Sequence, residues 1–316
     1  VTELSDFFSK DGALANILDG YQTRAAQTEM AEAISAAIDN NQNLIAEAGT
    51  GTGKTFAYLV PAILSGKKVV ISTGTKNLQD QLFNKDLPFI RKALKAPFIA
   101  ALLKGRSNYV CRYRLQNSLD STFGYGKEEA AALAKIKSWS QRTKIGDIAE
   151  MSNLSEGDPI WYLATSTVEN CLGQDCPEYS ECFLMKARKK AQESDLLVVN
   201  HHLLCADWSI REGGFGELLP SADVVIVDEA HQLAETASNF LGLHVGGKQL
   251  IDLAKDSLIE YHKDATDLPE LKIASEDLER EVKDLRLAFG IELKRGDWKD
   301  IKHNPKILSA LNATKD

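Results

Sequence analysis

Five short apolar runs recur along the first three quarters of the chain. They lie at residues 43–47, 68–73, 98–103, 195–200 and 223–228, and each ends in or runs into polar or glycine residues. Strands buried on both faces of a parallel sheet have this composition, because neither face meets water. Apolar residues at helical spacing lie between the runs, over residues 24–39 and 77–83. The alternation predicts an α/β fold with a doubly wound parallel sheet.

Two segments interrupt this alternation of predicted strands and helices. Residues 111–190 hold four of the five cysteines and a charged helical stretch at 127–142, so we interpret them as an insertion into the sheet domain. Residues 247–316 are rich in lysine, aspartate, glutamate and leucine, with helical periodicity, and predict a helical appendage.

Composition narrows the class of protein only slightly. The net charge of −8 does not indicate nucleic-acid binding, but a local basic groove is compatible with it. Five cysteines in 316 residues do not suggest a disulfide scaffold. The start shows no signal peptide, and we find no run of ~20 apolar residues that would span a membrane. We therefore expect a cytoplasmic protein without a membrane partner.

A glycine-rich turn follows the first apolar run and precedes a predicted helix. Its small residues would let backbone N–H groups surround a phosphate, Lys54 would neutralise the β- and γ-phosphates, and Thr55 would ligate Mg²⁺. A turn with a chance lysine is disfavoured, since three alternating glycines stand between strand and helix. The residues expected to bind the nucleotide here are Ala48, Gly49, Thr50, Gly51, Thr52, Gly53, Lys54 and Thr55.

The last apolar run ends in the sequence Asp-Glu-Ala-His at residues 228–231. Ligands bind at the carboxyl ends of strands in open α/β sheets. Asp228 would hold Mg²⁺, Glu229 would polarise the attacking water, and His231 would couple the nucleotide state to the rest of the motor. With Lys54, these are the expected catalytic residues.

In this order the motifs resemble the XPD/DinG family of superfamily 2 DNA helicases, and in particular its bacterial DinG and YoaA-like branch. The resemblance implies a RecA-like motor domain that uses ATP and Mg²⁺. It also implies that Gln27 reads adenine, with Tyr21 and Arg24 nearby, although these polar residues also suit an ordinary helix start.

Three further stretches match family segments that contact DNA. The resemblance suggests phosphate contacts after the second strand, a charged and aromatic approach to the first cysteine, and a polar strand end before the acidic motif. Helix capping would explain the hydroxyls of the first stretch equally well. The candidate DNA-binding residues are Thr73, Thr75, Lys76, Lys104, Arg106, Tyr109, Asn200 and His201.

Four cysteines form a candidate metal site. Cys111, Cys171, Cys176 and Cys182 could ligate a [4Fe–4S] cluster or a tetrahedral Zn²⁺, and spacing alone does not decide. The resemblance to the DinG and YoaA-like branch favours the cluster. Cys205 falls outside the set and is expected to be a core thiol.

The family resemblance divides the chain into parts. Residues 1–110 and 191–245 would form motor domain 1, residues 111–190 the iron–sulphur cluster domain, and residues 246–316 a truncated helical arch domain. The implied function is ATP-driven 5′-to-3′ translocation on single-stranded or fork DNA, in contact with unidentified replication or repair proteins.

The family also needs a second motor domain with an arginine finger, and nothing after His231 resembles one. We therefore expect this chain to bind DNA and nucleotide but neither to hydrolyse ATP efficiently nor to unwind DNA on its own. Two other functions stay open: a non-helicase ATPase with the same phosphate loop, and a zinc-stabilised nucleic-acid-binding module.

Overall fold

Four parallel strands form a sheet in the first of two units of the chain. The computed structural model describes residues 4–18, 20–121, 126–212, 217–241, 245–290 and 296–315. Its two units are Val1–Gly242 and Leu243–Asp316. The strands are β1 (Val69–Thr73), β2 (Ala100–Leu102), β3 (Leu196–Asn200) and β4 (Val224–Val227). The observed sheet confirms the predicted α/β class.

The strand order is β2-β3-β1-β4, so β1 lies between β3 and β4. Val69 is aligned with Leu196 on one side and with Val224 on the other. All three strands run in the same direction, and their carboxyl ends therefore meet at one edge of the sheet.

Helices cover both faces of the sheet. Alternate strand residues point to opposite faces, so Val69 and Ile71 pack in one core while Val70 packs in the other. The helices of this unit are α1 (Leu4–Phe7), α2 (Ala25–Asp39), α3 (Lys54–Leu64), α4 (Lys76–Gln81), α5 (Leu87–Leu94), α6 (Arg112–Asp120), α7 (Lys127–Ser140), α8 (Phe183–Gln192), α9 (His201–Glu212) and α10 (Leu233–Leu241). A π-helical turn, Leu82–Asp86, joins α4 to α5.

The prediction of a strand at residues 43–47 is wrong. This segment pairs with none of the four strands, and the side chains of Leu44 and Ile45 are 43% and 100% exposed. An apolar run becomes a strand only beside a partner that accepts its hydrogen bonds. β4 is an edge strand of the described sheet, with Val225 48% exposed, and it does not pair with this run.

The segment between β2 and β3 contains helices α6 to α8 and no named strand within its described residues. Two isolated bridges, Tyr109 with Asp147 and Val110 with Thr165, fold it back on itself. Its buried side chains share one core with Val70, Leu197 and Val199 of the sheet. The segment therefore packs on a sheet face, and its assignment as a separate domain at residues 111–190 stays a prediction.

The second unit is helical in its described residues. Its helices are α11 (Gly247–Asp264), α12 (Pro269–Ala288), α13 (Trp298–Ile301) and α14 (Pro305–Lys315). Ala254, Val282 and Ile307 are its buried apolar residues. This agrees with the predicted helical appendage, and its identity as an arch domain stays a prediction. No helix in the described ranges has the length and apolar character needed to cross a membrane.

A buried cation fastens the segment between β2 and β3 to α4. Lys104 lies just after β2 with its side chain 1% exposed, and its Nζ is 2.9 Å from Asp80 Oδ1 and 2.8 Å from Asp147 Oδ2. Desolvation lowers the pKa of Lys104, but hydrogen bonds and charges from Asp147 and Asp80 outweigh it and raise the net pKa above its usual value. The ammonium group is therefore charged and fully paired.

We expect Lys104→Met to lower the free energy of unfolding by about 3–5 kcal/mol, because it leaves Asp80 and Asp147 without a countercharge. Urea titration followed by circular dichroism measures the change. Lys92→Met, at an exposed position of α5, is the control and should shift stability by less than about 0.5 kcal/mol. Equal stability of the two variants would contradict the fastening role.

Candidate active site

The glycine-rich turn lies directly before α3, as predicted. Thr52 Oγ1 donates to the carbonyl of Gly49 at 2.9 Å and closes the turn. Gly53 has a φ of +83°, and a Cβ there would lie 2.1 Å from Gln27 Nε2, so both backbone conformation and space require glycine. The turn ends at Lys54, the first residue of α3, whose N-terminus favours an anion.

The acidic motif lies beside this turn. β4 ends at Val227, and the backbone N–H of Asp228 donates to the Ser72 carbonyl at 2.8 Å, which extends the β1–β4 pairing by one residue. Lys54 Nζ is 3.5 Å from Glu229 Oε1. Lys54 and Glu229, 175 positions apart in sequence, thus meet at the carboxyl edge of the sheet.

Two carboxylates, those of Asp228 and Glu229, share this edge. Desolvation and then the charge of Glu229 raise the pKa of Asp228, while Tyr58, the Glu229 backbone and Lys54 act in the opposite direction. A divalent cation would relieve the repulsion between the two carboxylates. Mg²⁺ needs few protein ligands because it keeps several waters and takes phosphate oxygens. Thr55 and Asp228 offer a hydroxyl and a carboxylate oxygen for that role. The hydroxyl of Tyr58, a residue that the sequence patterns did not single out, donates to Asp228 Oδ2 at 3.3 Å.

Glu229 adopts a backbone conformation that is uncommon outside glycine, with φ 53° and ψ 44°. Such left-handed residues cluster where a side chain must be held in one direction at a functional site. His231, mostly exposed, has its Nδ1 3.4 Å from Glu229 Oε2. The next residue, Gln232, lies so close to Gly74 after β1 that a Cβ there would meet its Oε1 at 2.2 Å. The acidic turn is therefore packed against the segment that follows β1.

Two of the three residues expected near adenine contact the phosphate loop, and the third, Tyr21, contacts Gln27. Gln27 is buried, its Nε2 donates to the Gly53 carbonyl at 3.0 Å, and its Oε1 accepts from the Tyr21 hydroxyl at 3.3 Å. Arg24 donates to the carbonyl of Gly51. Both ends of the Gln27 amide are thus engaged by the protein, and base recognition by this residue stays a prediction.

Most of the residues predicted to contact DNA are buried. Lys104 is paired with Asp80 and Asp147, and the Tyr109 hydroxyl accepts from the Lys104 N–H at 3.1 Å. These two side chains, which the sequence placed at the DNA, are not accessible to it here. The same holds for Thr73, Asn200 and His201, which are 1%, 8% and 0% exposed.

Two predicted DNA-binding residues remain exposed, at the start of α4. Thr75 caps the helix by accepting from the Leu78 N–H at 3.2 Å, and Lys76 forms an ion pair with Glu156 at 3.4 Å. Asn200 likewise caps α9 by accepting from the Leu203 N–H at 2.9 Å. Helix capping, the alternative left open for the hydroxyls of this stretch, accounts for Thr75.

The four candidate metal-binding cysteines lie in one neighbourhood. Desolvation raises the pKa of the Cys111 thiol, a backbone interaction with Arg114 lowers it, and the charges of Cys176, Cys182 and Cys171 raise it. All are free thiols. Within the described residues, no group of three or more cysteine, histidine or acidic side chains is arranged to hold a single metal ion. Cys205, 2% exposed, is packed in the core as expected.

Arginines surround these thiols. Arg106 Nη1 lies 2.6 Å from Cys171 Sγ, so this predicted DNA-binding side chain is directed at the cysteine site. Arg188 is close enough to Cys171 and Cys182 for their charges to raise its pKa, although desolvation and then Arg106 lower it. The site is therefore suited to thiolates, whose negative charge it can offset.

Comparison with known proteins supplies the family. Residues 24–121, from the start of α2 to the end of α6, match the DEAD/DEAH box helicase family. The chain is 49% identical over 300 residues to the ATP-dependent DNA helicase YoaA of Haemophilus influenzae, covering 95% of this chain and 47% of that protein. This is a DEAD/DEAH box helicase domain of the DinG/YoaA-like branch.

Two further relatives agree on the branch. The YoaA helicase of Escherichia coli is 46% identical over 307 residues, which cover 97% of this chain and 48% of that protein. A Bacillus subtilis protein named 3′-5′ exonuclease DinG is 34% identical over 235 residues, covering 73% of this chain and 24% of its own. The chain thus spans about half the length of its YoaA relatives.

Ser72 of β1 joins two parts of the helicase domain. Its carbonyl accepts from Asp228, and its Oγ is 2.7 Å from Nδ1 of His201, the first residue of α9. Both side chains are fully buried. Desolvation lowers the pKa of His201, and the backbone of Glu229 and Asp228 opposes this; its Nε2 forms no hydrogen bond of good geometry. A neutral imidazole therefore fills the space behind the acidic turn.

We expect Ser72→Ala to destabilise the helicase domain by about 1–3 kcal/mol, because it leaves the buried Nδ1 of His201 without a partner. Chemical denaturation measures this loss. Ser238→Ala removes an exposed hydroxyl from α10 and serves as the matched control, with an expected change below about 0.5 kcal/mol. If both serine variants unfold at the same denaturant concentration, the Ser72–His201 contact has no such role.

Proposed function

We propose that this chain is the nucleotide-binding part of an ATP-dependent DNA helicase or translocase. The observation that carries the proposal is the contact between Lys54 of the phosphate loop and Glu229 of the acidic motif, 3.5 Å apart at the sheet edge. Lys54 would neutralise the β- and γ-phosphates, Thr55 and Asp228 would hold Mg²⁺, and Glu229 would orient the attacking water. His231, in contact with Glu229, would transmit the nucleotide state.

We propose that the full helicase activity needs more protein than this chain contains. The YoaA relatives are about twice as long. The apolar side chains of Leu44 and Ile45 before the phosphate loop are exposed, as is Val225 of edge strand β4. Further strands and a second motor domain would cover such surface and supply the other wall of the ATP site. Alone, the chain would bind ATP but turn it over slowly.

Single-stranded or fork DNA is the proposed partner, with 5′-to-3′ movement as the polarity expected from the resemblance. The exposed start of α4, with Thr75 and Lys76, is the part of the predicted DNA surface that suits phosphate contacts. We propose that the whole protein acts with replication or repair proteins in the cytoplasm.

We further propose that Cys111, Cys171, Cys176 and Cys182 bind a [4Fe–4S] cluster. Two features support the fit. The four thiols lie close enough to influence one another electrostatically, as the ligands of one cluster would. Arg106 and Arg188 would offset the negative charge of the cluster. When bound, the cluster supplies one-electron redox chemistry as well as a cross-link.

Nucleotide binding tests the first proposal. We expect the chain to bind a fluorescent ATP analogue in the presence of Mg²⁺, and Lys54→Ala to weaken binding at least ~tenfold, since a charge-assisted phosphate contact is lost. Lys92→Ala, on α5, should bind like the parent chain.

Absence of binding by the parent chain would refute the nucleotide site. Brisk DNA-stimulated ATP hydrolysis would refute the need for a second motor domain, and a full-length protein with ATPase but no strand displacement would favour a non-helicase ATPase.

Metal analysis tests the cluster. Protein purified without oxygen should be brown, absorb near ~400 nm and contain about four irons per chain. Cys176→Ser should lose the colour and the iron, whereas Cys205→Ser, at the buried thiol outside the site, should keep both. A colourless chain with one zinc would instead identify a zinc-stabilised module.

A further inference from the structure

Tyr58 lies one helical turn after the start of α3 and contacts Asp228, one of the predicted Mg²⁺ ligands. Its side chain is 3% exposed, and its hydroxyl donates to Asp228 Oδ2 at 3.3 Å. Thr55, a second predicted Mg²⁺ ligand, lies three residues earlier on the same face of the helix. The phenol thus contacts one of the two side chains that the proposed function assigns to the cation.

The direction of this hydrogen bond is determined by chemistry. A carboxylate only accepts, so Tyr58 donates its proton to Asp228.

The carboxylate of Asp228 is fixed through both of its oxygens. Oδ2 accepts from Tyr58, and Oδ1 accepts from the Glu229 N–H at 3.1 Å. Each oxygen keeps a further lone pair for a water of a bound cation.

We propose that Tyr58 is a positioning residue that orders Asp228 for Mg²⁺ and so sets the cation requirement of nucleotide binding. The ring of Tyr58 also belongs to the core that contains Ala57, Leu59 and Val60. Packing alone would need only the ring, and phenylalanine would supply it. The hydroxyl is the part of the side chain that packing does not explain.

The test is Tyr58→Phe in this chain, with the Mg²⁺ dependence of fluorescent ADP binding as the readout. Hydrogen-bonding partners of metal ligands typically contribute 10–100-fold to metal affinity. We therefore expect the Mg²⁺ concentration for half-maximal enhancement of binding to rise about tenfold, while ADP affinity in EDTA is unchanged. Tyr261→Phe, which removes a hydroxyl from the helical unit, is the control and should match the parent chain.

A double-mutant cycle with Asp228→Asn shows whether Tyr58 acts through Asp228. In that background Tyr58→Phe should have little further effect on the Mg²⁺ dependence. A general loss of folding would instead weaken ADP binding in EDTA and add to the effect of Asp228→Asn, which would overturn the positioning role.

This inference rests on the proposed nucleotide site, and the two fail differently. A parent chain that binds ADP without any response to Mg²⁺, or not at all, refutes the proposed site together with the inference. A parent chain that responds to Mg²⁺ and a Tyr58→Phe variant with the same response refute the inference alone.

Discussion

The pairing of β1 with β4 determines the arrangement of the candidate active site. One hydrogen bond beyond the strand, from the Asp228 N–H to the Ser72 carbonyl, carries the parallel register into the acidic turn. The carboxylates are thereby held beside the phosphate loop, where Lys54 reaches Glu229. Ser72 also holds His201, so the same residue ties the turn to the start of α9. Because β1 is central, a shift of its register would displace the acidic turn, the loop after β1 and the end of β3 together.

Sequence patterns predicted the parts of this arrangement whose chemistry is local. A glycine-rich turn before a helix and a buried run ending in two carboxylates carry their meaning within a few residues. The run at residues 43–47 failed because a strand also depends on a neighbour, and its apolar composition does not reveal whether a partner is present. Tyr58 was missed because an aromatic residue in an apolar helix looks like core, and only the tertiary contact with Asp228 distinguishes its hydroxyl.

The predicted DNA-binding residues show the same limit of sequence patterns, because tertiary contacts decide what their side chains do. Polar residues at strand ends suit either a ligand or the protein itself, and here the protein uses most of them. Lys104 pairs with Asp80 and Asp147, Asn200 caps α9, and Arg106 is directed at Cys171. No spacing rule separates a lysine that meets a phosphate from one that meets two carboxylates distant in sequence, since the outcome depends on which acidic side chains the fold brings near.

These internal contacts connect the cysteine site to the exposed start of α4. Cys111 follows the Tyr109–Asp147 and Val110–Thr165 bridges directly, and its N–H donates to the Ala164 carbonyl at 2.7 Å. Asp147 in turn binds Lys104, which binds Asp80 of α4, the helix that begins at Lys76. The backbone links and the Lys104–Asp147 pair are shielded from solvent, whereas the Asp80 side chain at the end of the path is 32% exposed. The cysteine site and α4 are therefore joined by a short path of contacts that does not pass through β1 or β4, the strands that hold the nucleotide site.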